Sequence, residues 1–512
     1  MREEGPRTEG APGLREVAPG ELRPAVARLL ADGWRFLTSA VVDERGTLGA
    51  FRLDQAFLHA ARPGLALLRL RLPADRPEYP SLVPVLPAAH WDEREARDLF
   101  GVVPLGHPDP RRLVLPDDWP DHLHPLRRDV PWDARPAPVP GTGWAPGGAH
   151  GEGVVRIPVG PVHAGIIESG HFSFSVMGEA VLHVDLRLFQ KHRGLEKVVE
   201  GRPWSDVPDA VERVCASCSA SHQAAWSEAV EQILGWNLAP RAGQLRTVLL
   251  ECERLWNHIN DLAALPAGAG FAVAAMEGAR LKERVLRLQG AAFGHRFLFG
   301  TIRPGGVTAD LTAEGAATLR RELGALRDGA ARLAQRLLGH PGFMDRATGT
   351  GVLRRDAAAA LGAVGPAARA SGLAEDLRVL RPSLGYRALA PLVVTEAAGD
   401  VAARLRVRCR EIEVSFALLD RLLHALPGGP HWTEPPAGAA RASGLGIGCN
   451  ESPRGTCAHY VELRDGRVLR LRIRSASFAN WPLLGVAVPG NPIGDFPLIN
   501  KSFELCYACC DR

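Results

Sequence analysis

The chain has 512 residues, 46% of them hydrophobic, with 61 basic and 57 acidic side chains and a net charge of +4. That length gives room for two or more domains with sizeable cores. So even a charge balance excludes an argument for nucleic acid or an anionic membrane surface as partner, and no apolar run approaches the ~20 residues of a membrane span.

The stretch from residue 1 to about 20 is polar, rich in Gly and Pro, and expected to be loose; Met1-Arg2-Glu3-Glu4-Gly5-Pro6 carries no apolar signal segment. Residues 21–32 read as a short helix, and 33–42 and 49–59 as strands. Leu68-Arg69-Leu70-Arg71-Leu72 alternates with period two, the mark of a half-buried strand. A helix over His90-Trp91-Asp92-Glu93-Arg94-Glu95-Ala96-Arg97-Asp98-Leu99-Phe100 turns Ala96, Leu99 and Phe100 to one side and charges to the other. The charged side reads as a solvated face or docking surface rather than a catalytic site. Residues 1–135 therefore form a small α/β unit with a role in assembly.

Residues 136–153 contain Pro136, Pro138, Pro140, Gly141, Gly143, Pro146, Gly147 and Gly148, a linker that is semi-stiff at first and flexible after. The second unit, 154–512, opens with two strands, 172–176 and 180–184, around Gly178, read as a hairpin. Leu245, Val248, Leu249, Cys252, Leu255, Trp256, Ile259 and Leu262 recur at three and four, one apolar helical stripe. Further helices over 319–337 and 400–426 complete a central bundle of about four long helices. Asp465-Gly466 predicts a tight hairpin before a strand at 468–473. The fold class is thus α+β and multidomain: a small N-terminal domain, then a mainly helical one with peripheral hairpins.

Nine cysteines is a low, odd number, mostly off disulfide-framework spacing, which fits a reducing cytosol. Four form two Cys-x-x-Cys pairs, Cys215/Cys218 and Cys506/Cys509, almost 300 residues apart. Two intervening residues let both sulfurs of a pair face one point, and four soft thiolates suit zinc, iron–sulfur or nickel–iron. The separation excludes a zinc ribbon, where the second pair follows within about 20 residues. Spacing alone equally admits two unrelated pairs, one of them a redox dithiol.

Arg213-x-Cys215-x-x-Cys218-x-x-x-His222, with Cys506-x-x-Cys509 at the C-terminus, resembles the large subunit of a [NiFe] hydrogenase, and most of all its energy-converting, formate-hydrogenlyase-like branch. Glu451-Ser452-Pro453-Arg454-Gly455 and Leu250-Glu251-Cys252-Glu253-Arg254-Leu255-Trp256-Asn257-His258 match that family too; Ile302-Arg303-Pro304-Gly305-Gly306-Val307 is closer to the related 49-kDa-type subunit of complex I. Trp91-x-Glu93-Arg94-Glu95 through Asp98-Leu99-Phe100-Gly101, followed by Gly106-His107-Pro108, resembles the 30-kDa-type subunit of complex I, so the chain looks like a fusion of two units.

The resemblance implies a large subunit of a membrane-associated hydrogenase complex that oxidises H2 or reduces protons at a nickel–iron centre whose iron carries CO and cyanide. It implies Cys215 and Cys506 terminal on nickel, and Cys218 and Cys509 bridging. It puts Arg454 at the open side, orienting gas or acting as an unusual base, and makes Glu168 the proton carrier. His222 would hydrogen-bond a bridging sulfur. Glu196 would lie in a deeper network for protons or a divalent ion such as Mg2+. No iron–sulfur cluster is expected in this chain. Electrons would pass to an Fe–S small subunit of the complex I 20-kDa type, with a ferredoxin-like Fe–S subunit and membrane subunits as further partners. The chain would lie in the cytoplasm, peripheral on the inner face of the cell membrane. The alternative is a metal-free complex I-like subunit with a quinone-site or assembly role. Three features depart from the family: Ala216 in place of Gly, Glu504-Leu505 in place of Asp-Pro, and an extra thiol, Cys510. The sequence also stops at Arg512 without the extension many members carry, which reads as a mature form, a different maturation route or no nickel insertion.

Overall fold

A computed structural model of the protein describes residues 13–59, 64–140, 143–163 and 167–512. Its first unit is a sheet in the order β1-β4-β3-β2, made of β1 (Gly13–Glu16), β2 (Trp34–Glu44), β3 (Ala50–His59) and β4 (Leu65–Pro73). β2, β3 and β4 run antiparallel, with Phe51 opposite Leu72 and Leu53 opposite Leu70. β1 joins β4 in parallel. It falls in the stretch expected to be loose, whose first 12 residues lie outside the described ones. Its residues are all exposed; the free backbone edge of β4 takes it as a partner, and Arg71 pairs with Glu16 at 3.4 Å.

Both faces of this sheet are covered. Phe51, Leu53 and Phe57 pack toward α1 (Leu22–Ala31) and α2 (His90–Phe100). Ala56, Leu58 and Leu67 pack against Ile447, Tyr460 and Leu469 of the second unit.

The charged side of α2 is not a solvated face: nine of its eleven residues are buried. Each acidic group has found polar partners. Glu93 accepts from Leu82 N at 2.6 Å and Ser81 Oγ at 2.5 Å. Asp98 Oδ2 accepts from Leu113 N and Val114 N, both at 2.8 Å. Asp92 and Glu95 meet arginines that arrive from residues 472–512.

Residues 136–153 contain no helix or strand among the described residues. They are nonetheless pinned, because Gly147 N donates to Asp185 Oδ2 at 2.6 Å, and that carboxylate also pairs with Arg111.

The second unit opens with the antiparallel sheet β5 (Val154–Val159), β6 (His171–Met177) and β7 (Ala180–Arg187). α3 (Ser219–Leu234) follows. Four long helices then form a ring: α4 (Pro240–Gly268), α5 (Ala272–Phe293), α6 (Ala313–Leu338) and α7 (Val401–His424). α4 and α6 each pack against both α5 and α7. The stripe from Leu245 to Leu262 is buried along α4, and Asp400 caps α7 by accepting from Ala403 N at 2.7 Å.

The chain returns through the sheet β8 (Gly444–Ser452), β9 (Gly455–Arg464) and β10 (Arg467–Arg474). Asp465 and Gly466, at φ of 50° and 71°, make the tight turn between the last two strands. α8 (Phe496–Phe503) and the single turn α9 (Ala508–Asp511) end the chain. No helix among the described residues is long and apolar enough to cross a membrane.

Candidate metal centre

Local backbone geometry aims each cysteine pair. Cys215 is extended, at φ −159°, and Ala216–Cys218 form one tight turn running into α3. Both sulfurs therefore leave the same side of the chain. At the other end, Glu504 adopts a left-handed conformation, φ 51°, just past α8. The reversal carries Cys506 and Cys509 back over the first pair. Cys215 Sγ lies 3.0 Å from Cys506 Sγ, and the sulfurs of Cys215, Cys218 and Cys509 lie within 4.8 Å of one another.

Arg193 ties the two segments together. Its guanidinium donates to the carbonyls of Arg213 and Val214 on one side and Ala508 on the other, at 2.7, 2.8 and 2.8 Å. Ser477 Oγ accepts from Cys506 N at 3.0 Å, and Ser475 Oγ donates to Cys509 O at 3.2 Å. Nothing in the sequence alone marks these three residues, since each works through main-chain atoms of a remote segment.

Four convergent thiols, three buried and Cys506 half-buried, fit a soft metal ion. Hydrogen bonds from Cys218, Cys506 and Cys509 hold the Cys215 thiol well below its usual range, while the other three are pushed up.

Arg454 lies at this pocket, 5% exposed. Nη1 donates to Asp261 Oδ2 at 2.6 Å, and Nη2 is 3.9 Å from Glu504 Oε2. Burial would lower its pKa, but Asp261, Glu504 and the nearby Cys218 outweigh it and raise the value. Asp261 and Glu504 thus favour the charged form of Arg454. Gly455 and Gly365 let its loop pack closely: a Cβ on Gly455, at φ +125°, would sit 2.6 Å from Gly365 N. Burial and the neighbouring Asp261 push the Glu504 carboxyl up to about 7 despite Arg454.

Glu168 is half-buried and accepts from Ala508 N at 2.7 Å, inside the loop between Cys506 and Cys509. His222 departs from expectation. No sulfur of the four is its hydrogen-bond partner among the described residues. Nδ1 instead faces His459 Nε2 at 3.0 Å and Cys457 Sγ at 3.4 Å, and Nε2 has no partner. Burial lowers its pKa to about 4. α3 carries the ring toward β9, which brings His459 and Cys457 against it.

Glu196 is not placed to hold a divalent ion. Its carboxylate takes Arg470 Nη1 at 2.8 Å, Arg512 Nε at 2.8 Å, Arg472 Nη1 at 3.4 Å and Ile473 N at 2.9 Å. Three guanidiniums fill the space a cation would need and repel it.

The family described as "Nickel-dependent hydrogenase" matches residues 193–267, a span that holds the first cysteine pair. "Respiratory-chain NADH dehydrogenase, 30 Kd subunit" matches 16–136, and its 49 Kd counterpart matches 269–442. Formate hydrogenlyase subunit 5 of Escherichia coli is 38% identical over 87% of this chain and 79% of its own length. The chain belongs to the [NiFe] hydrogenase large-subunit family. Hydrogenase-4 component G of the same organism is 36% identical over 92% of this chain and 82% of its own. Among solved structures, a chain of an archaeal membrane-bound sulfane sulfur reductase superposes with a TM-score of 0.67. It is 27% identical and covers 70% of this chain and 99% of that one.

The structure accommodates two departures from the hydrogenase family pattern. Ala216 is exposed, in a right-handed turn that any residue adopts. Cys510 faces away from the four sulfurs into the main apolar core, while Cys215, Cys218 and Cys509 belong to a separate cluster. The third, Glu504, puts a half-buried carboxyl beside Arg454.

Proposed function

We propose that this hydrogenase large subunit holds a nickel–iron centre on Cys215, Cys218, Cys506 and Cys509, the iron carrying CO and cyanide, and interconverts H2 with two protons and two electrons. The observation that carries this reading is the meeting of two cysteine pairs 291 residues apart around one pocket. When bound, the metal pair supplies the Lewis acid and the redox change that heterolytic cleavage of H2 requires.

The chain supplies the rest. The pocket is lined by buried groups, so little water competes at the sulfurs and charges there act at full strength. Arg454 presents a fixed positive charge beside Cys218. Its geometry is set by Asp261, so it needs no reorganisation when charge develops on the sulfur side. Glu168 takes the proton from the pocket. Its hydrogen bond from Ala508 N holds one carboxylate oxygen against the cysteine loop, and its half-buried position lets it pass a proton outward. His222, with its unpartnered Nε2, supports the pocket wall.

Electrons leave to a separate Fe–S small subunit of the complex I 20-kDa type. Of the remaining cysteines, all buried, Cys457 groups with His222 and His459, while Cys252, Cys409, Cys449 and Cys510 join no such group among the described residues. A ferredoxin-like Fe–S subunit and membrane subunits complete the complex, which holds this chain peripherally on the inner face of the cell membrane.

Metal analysis with infrared spectroscopy of the purified complex tests the reading. Nickel near one per chain with CO and cyanide bands is the expected result. Absence of both after anaerobic co-expression with maturation factors would leave the metal-free, complex I-like role.

A further inference from the structure

The four-residue turn α9 is far too short to be stable by itself, so the tail that brings Cys506 and Cys509 to the pocket must be held by outside contacts. Its strongest charged anchor comes from the other domain. The guanidinium of Arg512, 1% exposed, donates through Nη2 to both oxygens of Glu95 on α2, at 2.6 and 2.5 Å, and through Nε to Glu196. It also stacks over Phe478, 4.8 Å from the ring centroid, and Phe478 in turn meets Trp91 of α2 edge-on at 5.6 Å.

The surrounding charges make Glu95 hard to replace. Asp92, Glu95 and Glu196 face Arg470, Arg472, Arg474 and Arg512, three carboxylates against four guanidiniums, all buried. Neutralising Glu95 leaves two against four among these buried groups. Arg512 is the guanidinium most free to leave, because it follows a single turn of helix, whereas the other three are fixed on β10.

We propose that Glu95 of the N-terminal domain is a positioning residue for the sulfur pocket: by pairing with Arg512 it holds the 506–510 loop in place, so docking of that domain and closure of the pocket are one event. The contact stands without any metal; its consequence for hydrogen chemistry rests on the reading of the four thiols given above. Loosening the loop would shift Cys509 through Cys510 and Asp511, whose carbonyl is held by Arg193 N at 2.6 Å.

The test is hydrogen-exchange mass spectrometry on peptides spanning 504–512 of the full chain in its purified complex. Glu95→Gln and Arg512→Gln are each expected to speed exchange there about tenfold or more, and the double variant no more than Arg512→Gln alone, because the Glu95–Arg512 pair is lost in every case. Glu93→Gln is the control: it alters a buried carboxyl on the same helix whose partners Ser81, Leu82, Tyr79 and His107 all lie outside the tail, and should leave the tail protected. Should Glu95→Gln fail to fold, Arg512→Lys, which keeps the charge but cannot fork to two carboxylates, is expected to give a partial loss of protection. Unchanged tail exchange in the position-95 and position-512 variants, or equal loosening by Glu93→Gln, would overturn the proposal. A second readout is nickel release to EDTA, expected to quicken with Glu95→Gln. A complex that lacks nickel but shows the exchange pattern would sink the metal reading alone; a nickel-loaded complex without the pattern would sink this one alone.

Discussion

Arg454 and Arg408 converge on a single oxygen, Asp261 Oδ2, from 2.6 and 2.8 Å. Asp261 lies on α4 and is fully buried, so it is the hinge between the helix ring and the pocket. Replacing it by Asn leaves two buried cations facing one neutral amide. Asp261→Asn is expected to cost about 3–5 kcal/mol of stability. It should also lower H2 turnover by about a hundredfold or more through displacement of Arg454. Thermal melts and hydrogen uptake by the same preparation measure both; full activity with a normal melt would detach Arg454 from Asp261.

Neighbouring cysteines should behave in opposite ways. Cys509→Ser is expected to abolish turnover while the subunit still assembles, because Cys509 Sγ is part of the four-sulfur pocket. Cys510→Ser changes a thiol in the apolar core and should keep nickel and most activity, losing about 1–3 kcal/mol from the buried hydroxyl. Nickel content and activity of the two variants decide it. Equal loss in both would mean that the tail, not the ligand, is what matters.

Glu93 gives the N-terminal domain a pH dependence of known sign. Burial raises its carboxyl from 4.5 to about 7, against the bonds from Leu82 and Ser81. The folded chain therefore keeps a proton that the unfolded chain releases between those values. Stability contributed by this group is complete below pH 4.5 and falls as pH rises toward 7, by up to about 3 kcal/mol. Glu93→Gln cannot ionise and should flatten that slope. Unfolding of both proteins by denaturant from pH 5 to 8 checks it; identical slopes would show that Glu93 titrates normally.

How much was legible in the chain depended on how local the causes were. The α4 stripe and the Asp465-Gly466 turn are set by neighbours within a few residues, and both stand where they were read. The two cysteine pairs could be marked, but their meeting requires the backbone reversal at Glu504, whose left-handed conformation no motif announces. The burial of α2 was misread because its counter-charges, Arg472, Arg474 and Arg512, lie 380 to 417 residues further on. Glu196 fails as a cation ligand for the same reason. Asp261 was overlooked, although a carboxylate between Ile259 and Leu262 on a helix packed at both flanks was a signal that it must serve a buried cation.

The seam between the two units has a consequence for how the gene could be arranged. Tyr460 reaches Asp54 at 2.8 Å, Arg470 reaches Val41 O at 2.9 Å, and Arg472 reaches Ser39 O at 3.1 Å. None of these bonds depends on the peptide links between 136 and 153. That tether serves chiefly to raise the local concentration of one half beside the other. Two polypeptides divided there carry every group needed to find each other, and the separate halves would reassemble along the same strands.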